Sequence, residues 1–168
     1  MKKFFVILLP LCLLLSSCAG YHLGAQKPSH LSQIQRLAIP TVENLTLEPR
    51  LGVLVTNAII KQVQNHGSYE IVSRNQSDAV LVGTIRNIYR SQYRSDRTNI
   101  LRTSQMLMTL EIQYRIEDRN GKILHNNYAN GESYVILDAN LQISEAQALE
   151  DAAQRAAINL ANDISEGW

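Results

Sequence analysis

The spacing of apolar residues along the chain predicts both helices and strands. One amphipathic helix is predicted where apolar residues recur every three or four positions, at Leu51, Leu54, Val55, Ala58 and Ile59. Pro49 suits the first turn of this helix, and Gly67 suits the position just after its end. Two short strands are predicted on either side of the helix, over residues 34–40 and 69–72.

Longer strands are predicted in the middle of the chain. Residues 79–93 begin with an almost entirely apolar run. A strand with one buried face is indicated by the alternation of Met106, Met108, Leu110, Ile112, Tyr114 and Ile116. Asn120-Gly121 predicts a hairpin turn, because both residues tolerate positive φ, and a partner strand follows from residue 123 to about 136.

A second helix closes the chain. Ser144 and Gln147 form a capping-box pattern, which predicts that the helix begins there. Its apolar stripe consists of Leu149, Ala152, Ala153, Ala156, Leu160 and Ile164. The order of elements predicts an α/β fold, a two-layer sandwich with two helices packed on one face of a mixed, mostly antiparallel sheet. We expect a single domain over residues 33–168.

The N-terminus has the features of a targeting segment. Lys2 and Lys3 precede an apolar run that is too short to span a membrane, and Leu15-Ser16-Ser17 lead directly into Cys18. This order resembles the lipobox of bacterial lipoproteins, in which the cysteine is lipidated and becomes the first residue. We therefore expect a signal peptide over residues 1–17, lipidation of Cys18 and a tether over 18–32. The alternative is an ordinary secreted protein with an accidental cysteine.

Composition excludes several classes of function. The 168 residues carry a net charge of +1, which argues against a strongly basic nucleic-acid binder. Both cysteines lie within the first eighteen residues, so the folded part has no thiol chemistry. The sequence places its histidines far apart, without metal-ligand spacing, at His22, His30, His66 and His125. We find no catalytic motif, and Asp78 is interpreted as the polar residue that opens a strand. We expect no enzyme activity, metal or cofactor.

Arginine is concentrated in one segment. Five arginines fall within seventeen residues, at Arg86, Arg90, Arg94, Arg97 and Arg102. Strand alternation predicts that residues 86, 90 and 94 share one face and that Tyr89, Tyr93 and Ile85 share the other. Because guanidinium groups bind phosphate through paired hydrogen bonds, the cluster fits an anionic ligand on a projecting hairpin. A solvated strand face is an equally good interpretation.

Two apolar residues do not fit the core-facing stripe of the first helix. Val53 and Ile60 lie roughly opposite that stripe. They are either ordinary exposed apolar residues or contacts for a partner protein.

Several short motifs, taken together in their order, resemble the LptE family of lipopolysaccharide-assembly lipoproteins. They are Cys18-Ala19-Gly20-Tyr21-His22-Leu23, Leu37-Ala38-Ile39-Pro40, Glu43-Asn44-Leu45-Thr46, Ser77-Asp78-Ala79 and Gln105-Met106-Leu107-Met108-Thr109-Leu110. The resemblance covers essentially the whole mature chain. The family's opening motif lacks the residue that Ala19 adds here.

The resemblance implies a non-enzymatic role in the outer membrane. The family's lipoproteins plug the β-barrel LptD, assist the transport of lipopolysaccharide to the outer leaflet, and bind lipopolysaccharide themselves. The implied location is lipid-anchored, periplasm-facing and within the barrel lumen. The family's basic ligand contact aligns with Arg97, whereas the region of its second basic contact has no base here, over residues 138–141. Arg94 or Arg102 would have to compensate.

A different class of protein remains as the alternative. Small periplasmic α/β lipoproteins that activate a cell-wall synthase or scaffold a secretion pore share the strand–helix–strand opening. Such a protein would bind an enzyme domain and would not require lipopolysaccharide. Co-purification with an outer-membrane barrel distinguishes the two classes.

The predicted lipid anchor is tested by Cys18→Ala. We expect the variant to remain uncleaved or to become soluble, because no thiol is left to carry the lipid. Metabolic labelling with palmitate measures the modification. Equal incorporation of label by the variant and the unaltered chain would contradict the prediction.

Overall fold

The computed structural model describes residues 27–95, 103–137 and 141–166. The helices are α1 (Leu51–His66) and α2 (Leu141–Ser165). The strands are β1 (Arg36–Ala38), β2 (Glu43–Asn44), β3 (Glu70–Ile71), β4 (Ala79–Ser95), β5 (Thr103–Asp118) and β6 (Ile123–Ile136). The predicted α/β sandwich is confirmed. The predicted signal peptide, Cys18 and most of the tether lie outside the described residues.

The strands form one mixed sheet. Their order is β3-β1-β4-β5-β6, and β2 pairs with β4 beyond the end of β1. The three short strands pair in parallel, β1 with β3 and β4, and β2 with β4. The three long strands pair antiparallel, β4 with β5 and β5 with β6. Helix α1 therefore connects two parallel strands at one edge, while the long strands carry most of the sheet.

The first helix follows its predicted stripe. Leu51, Val55 and Ile59 are fully buried, and Gly67 caps the helix in the left-handed region with φ of 66°. Thr56, a buried polar residue that the apolar pattern does not predict, links the helix to the segment before β2. The Thr56 Oγ1 donates to the Gly52 carbonyl at 2.6 Å and accepts from the Val42 N–H at 2.9 Å. This bond satisfies a backbone donor that burial would otherwise leave unpaired.

The second helix lies unusually close to β6. Its buried face is rich in alanine, at Ala148, Ala152, Ala153, Ala156, Ala157 and Ala161. Opposite these residues stands Gly131, where an added Cβ would lie 1.9 Å from the Ala152 carbonyl oxygen. The helix begins at Leu141, so the predicted start at Ser144 was wrong. Ser144 lies within the first turn of the helix, and its capping-box pattern with Gln147 is coincidental.

The predicted hairpin turn between β5 and β6 is confirmed. Gly121 has φ of 79°, and no described residue other than glycine, Asn120 included, has a positive φ. The Asp118 carboxylate accepts the N–H groups of Asn120 at 2.7 Å and Lys122 at 2.9 Å. This cap stabilises a turn that needs only one residue in the left-handed region.

The two faces of the sheet differ. On one face, a continuous core forms between the strands and both helices and includes Leu81, Ile85, Leu110, Ile112 and Ile116. The other face, which we call the open face, is covered by neither helix. Within the described ranges, neither helix is both long and apolar enough to cross a bilayer.

The contact between α2 and β6 yields a stability prediction. We expect Gly131→Ala to lower the free energy of unfolding by about 3 kcal/mol, because the new methyl group meets helix backbone that cannot move aside. Gly83→Ala is the control. Its nearest neighbours would be side-chain atoms of Val42, with the two methyl groups at 3.1 and 3.4 Å. Urea denaturation measures both, and equal losses would show that α2 can shift.

Candidate functional site

The arginine-rich segment coincides with the hairpin formed by β4 and β5. Arg86, Arg90 and Arg94 lie in β4. Arg97 and Arg102 lie outside the described residues. The hairpin extends the sheet beyond the short strands, because β4 and β5 stay paired as far as Ser95 and Thr103.

The predicted sharing of one face by residues 86, 90 and 94 was wrong. Strand β4 contains register shifts between Ile85 and Asn87 and again beyond Gln92. Each extra residue in a strand reverses the alternation that follows it. Arg90 therefore pairs with the buried Met108 on the helix side, whereas Arg94 pairs with Gln105 on the open face. Arg86 is the unpaired extra residue of the first shift.

The Arg90 guanidinium already forms ion pairs with two carboxylates. It lies 2.7 Å from Glu145 of α2 and 3.4 Å from Glu48, just before α1. Beside it, a cleft of about 500 Å³ opens between the starts of the two helices, and its charged lining residues are Glu48, Glu145, Glu150 and Arg50. Carboxylates therefore outnumber cations on the helix side of the hairpin, where Arg90 links the segment before α1 to α2.

The open face near the hairpin carries aromatic side chains. Tyr89 and Tyr93 are 49% and 52% exposed, and the Tyr93 ring centroid lies 4.6 Å from that of Tyr134 on β6. A hydrogen bond with Tyr93 raises the pKa of Tyr134. The prediction that Ile85 shares this face was wrong, because Ile85 is fully buried on the helix side. The first register shift separates it from the tyrosines.

Two histidines that lie far apart in the sequence meet in the fold and form a cluster with Asp163. His30 and His125 stack with ring centroids 5.3 Å apart, and Nε2 of His30 lies 3.1 Å from Nδ1 of His125. On its other side, His125 Nε2 lies 2.6 Å from the carboxylate of Asp163. No local pattern predicts this cluster, because its members come from the N-terminal segment, β6 and the end of α2.

Asp163 joins the histidines to the core. Burial favours its neutral form, but hydrogen bonds from Tyr114, His125 and Asn127 outweigh burial and lower the pKa of Asp163. Burial, together with the neighbouring carboxylate, raises the pKa of Tyr114 well above its usual range. The carboxylate is thus a structural anchor. Among the described residues, no group of three potential ligands is arranged to hold a metal ion.

Asp78 organises the opposite end of the sheet from the hairpin. Its carboxylate accepts the backbone N–H and the guanidinium of Arg36, both at 2.9 Å, and the guanidinium of Arg119 at 3.0 Å. The side-chain hydrogen bond from Arg36, followed by the backbone one, holds the pKa of Asp78 far below its usual range. Asp78 ties β1 to the turn after β5, which accords with its interpretation as a strand-opening residue.

The two predicted partner contacts differ in exposure. Val53 is 59% exposed on the outer surface of α1, whereas Ile60 is half-buried. The described residues leave the Val53 side chain open to solvent, so it is available for contact.

The sequence of the whole described domain matches one family. The family model for LptE, lipopolysaccharide-assembly, matches residues 34–166, a range that includes every strand and both helices. The chain belongs to the LptE family. The resemblance drawn from the short motifs is confirmed, and this LptE-family chain is a lipopolysaccharide-assembly protein.

Solved structures support the fold of this LptE-family chain. The Xanthomonas campestris protein XCC0632 superposes with a TM-score of 0.55 at 12% identity, covering 76% of this chain and 81% of that one. A putative lipoprotein from Caulobacter crescentus has a TM-score of 0.51 at 16% identity, covering 74% of this chain and 87% of that one. No curated protein matches the chain by sequence. At such low identity, these similarities concern the fold alone.

The environment of Asp78 predicts a dependence of stability on pH. Because the folded-state pKa lies below the unfolded value of 3.8, the ionised carboxylate stabilises the fold fully above about pH 4 and loses this effect as the pH falls. We expect Asp78→Asn to be less stable than the unaltered chain at pH 7 and to lose less stability on acidification.

Urea denaturation at pH 7 and pH 3 measures this difference. Glu166→Gln is the control, since the Glu166 side chain has no ion pair among the described residues. If Asp78→Asn and the unaltered chain lose the same free energy of unfolding between pH 7 and pH 3, Asp78 does not cause the pH dependence.

Proposed function

We propose that the chain is an outer-membrane lipoprotein, anchored through Cys18, that plugs an LptD-like β-barrel and binds lipopolysaccharide during its transfer to the outer leaflet. The observation that carries the proposal is the family match over residues 34–166, which spans the complete α/β domain. The role needs no catalytic group. The chain acts by occupying the barrel and offering the glycolipid a binding surface.

The ligand contacts in this proposal come from the arginine hairpin. Arg97 is the principal contact, and Arg94 and Arg102 assist it. Arg94 lies on the open face and is exposed. Arg86 supplies further positive charge from the first register shift, and Arg90 fixes the base of the hairpin through Glu48 and Glu145. Guanidinium–phosphate hydrogen bonds are charge-assisted and about twice as strong as neutral ones.

The partner in this proposal is the interior of the barrel. Barrel lumens are polar, and a compact domain with modest net charge suits them. Val53 and Ile60 are the proposed apolar contacts, with Val53 the more accessible of the two.

The ligand part is tested by Arg94→Asp combined with Arg97→Asp. We expect lipopolysaccharide binding to weaken by at least about tenfold, because each solvated contact contributes about 1 kcal/mol and the reversed charges repel phosphate. Melting should be unaltered. The matched control, Lys61→Asp with Arg74→Asp, makes the same change of charge away from the hairpin. If the hairpin variant binds lipopolysaccharide as strongly as the unaltered chain does, the arginines are only a solvated strand edge.

The partner part is tested by affinity purification from solubilised outer membrane. We expect an LptD-like barrel to be recovered with one copy of this chain, and Val53→Lys to reduce the yield more than Lys61→Glu on the same helix. Recovery of a cell-wall synthase without a barrel would favour the alternative class of periplasmic lipoprotein.

A further inference from the structure

We propose that the hairpin end of the open face is a saccharide platform, on which Tyr89, Tyr93 and Tyr134 stack against sugar rings of a phosphorylated glycolipid. The inference rests on the proposed function, because it assigns the sugars of that ligand to one surface. Arg94 would hold a phosphate, and the tyrosines would hold the neighbouring rings.

The register of the long strands brings the three tyrosines together. Tyr89 lies in the row of Thr109 and Glu132, and Tyr134 lies one row nearer the hairpin beside Leu107. Tyr93 is the extra residue of the second register shift, and its ring rests against Tyr134. The platform therefore draws on β4 and β6, with β5 between them.

All three rings are presented to solvent. The exposed fractions of Tyr89, Tyr93 and Tyr134 are 49%, 52% and 52%, and Ile136 at the rim is 56% exposed. A cluster of large exposed apolar groups on one surface is typical of a binding site. The contact between Tyr93 and Tyr134 also restricts both rings before any ligand arrives, which reduces the entropy lost on binding.

The chemistry of tyrosine suits a sugar more closely than it suits an acyl chain. A pyranose has apolar C–H faces and a rim of hydroxyl groups. A tyrosine ring offers an apolar face, and its hydroxyl group offers a hydrogen-bonding edge. On the same face of β5, Thr109 pairs with Tyr89 and Gln105 pairs with Arg94, and both side chains can bond sugar hydroxyls.

Charge on this surface favours a ligand that carries phosphate. On the open face, Glu132 lies in the row of Tyr89 and Thr109, whereas the two rows nearer the hairpin hold no carboxylate in the described strands, and Arg94 adds a cation there. The cleft on the helix side of the same hairpin is lined by three carboxylates and one cation, Arg50, and two of the carboxylates are already paired with Arg90. A phosphate on the saccharide would therefore lie at the hairpin end of the open face, beside Arg94.

Tyr128 provides a matched control on the same face. It is 54% exposed, but it pairs with Gln113 among polar neighbours, far from the hairpin. The same substitution at Tyr128 removes an equally exposed ring without touching the platform.

The experiment measures calorimetric binding of lipopolysaccharide and of its deacylated, still phosphorylated oligosaccharide to the full mature domain. We expect Tyr89→Ala and Tyr134→Ala each to weaken oligosaccharide binding by about three- to tenfold. Tyr134→Phe, which keeps the ring, should retain most of the affinity. Tyr128→Ala should bind as the unaltered chain does, and melting temperatures identify any variant that fails to fold.

The possible results separate this inference from the proposed function. Failure of the unaltered chain to bind lipopolysaccharide would overturn the ligand part of the proposed function. Binding that is unaffected by Tyr89→Ala and Tyr134→Ala would overturn the platform alone. The platform is also overturned if these variants bind oligosaccharide normally but no longer capture the barrel, because the patch would then be a protein interface.

Discussion

The close contact between α2 and β6 determines the arrangement of the other elements. Because Gly131 has no side chain and the facing helix presents alanines, helix backbone and strand backbone nearly touch. The helix then lies flat against the long strands, and α1 packs beside it on the same face. The opposite face remains available for contacts outside the domain. Gly131 thus helps to keep both helices on one face of the sheet and to leave the open face uncovered.

The register shifts of β4 divide the arginines in the same way. Without them, Arg90 and Arg94 would share a side. With them, Arg90 turns inward to Glu48 and Glu145 and stiffens the base of the hairpin, whereas Arg94 turns outward. Such irregularities in a strand change the face on which the following side chains lie, while most hydrogen bonds between the two strands remain. Each arginine in this segment therefore has its own environment, although the sequence presents them as one cluster.

Local patterns in the sequence were sufficient to predict the architecture. The helical stripe of α1, its glycine cap and the alternation along β5 depend on neighbours a few residues apart, so the sequence displays them directly. The register shifts, the hydrogen bond from the Val42 N–H to Thr56 and the contact of His30 with His125 depend on chain segments that meet only after folding. The prediction at Ser144 failed because capping residues also occur inside helices, whereas the turn at Asn120-Gly121 was predicted correctly from two neighbouring residues.

The length of β4 sets a distance between the two ends of the molecule. Lys27 lies near the start of the strand, since its Nζ bonds the Ile34 carbonyl beside β1, and the hairpin lies at the far end. Seventeen strand residues span about 50 Å, more than the roughly 30 Å hydrocarbon core of a bilayer. For the barrel plug proposed above, β4 is therefore long enough by itself to connect the two sides of a bilayer.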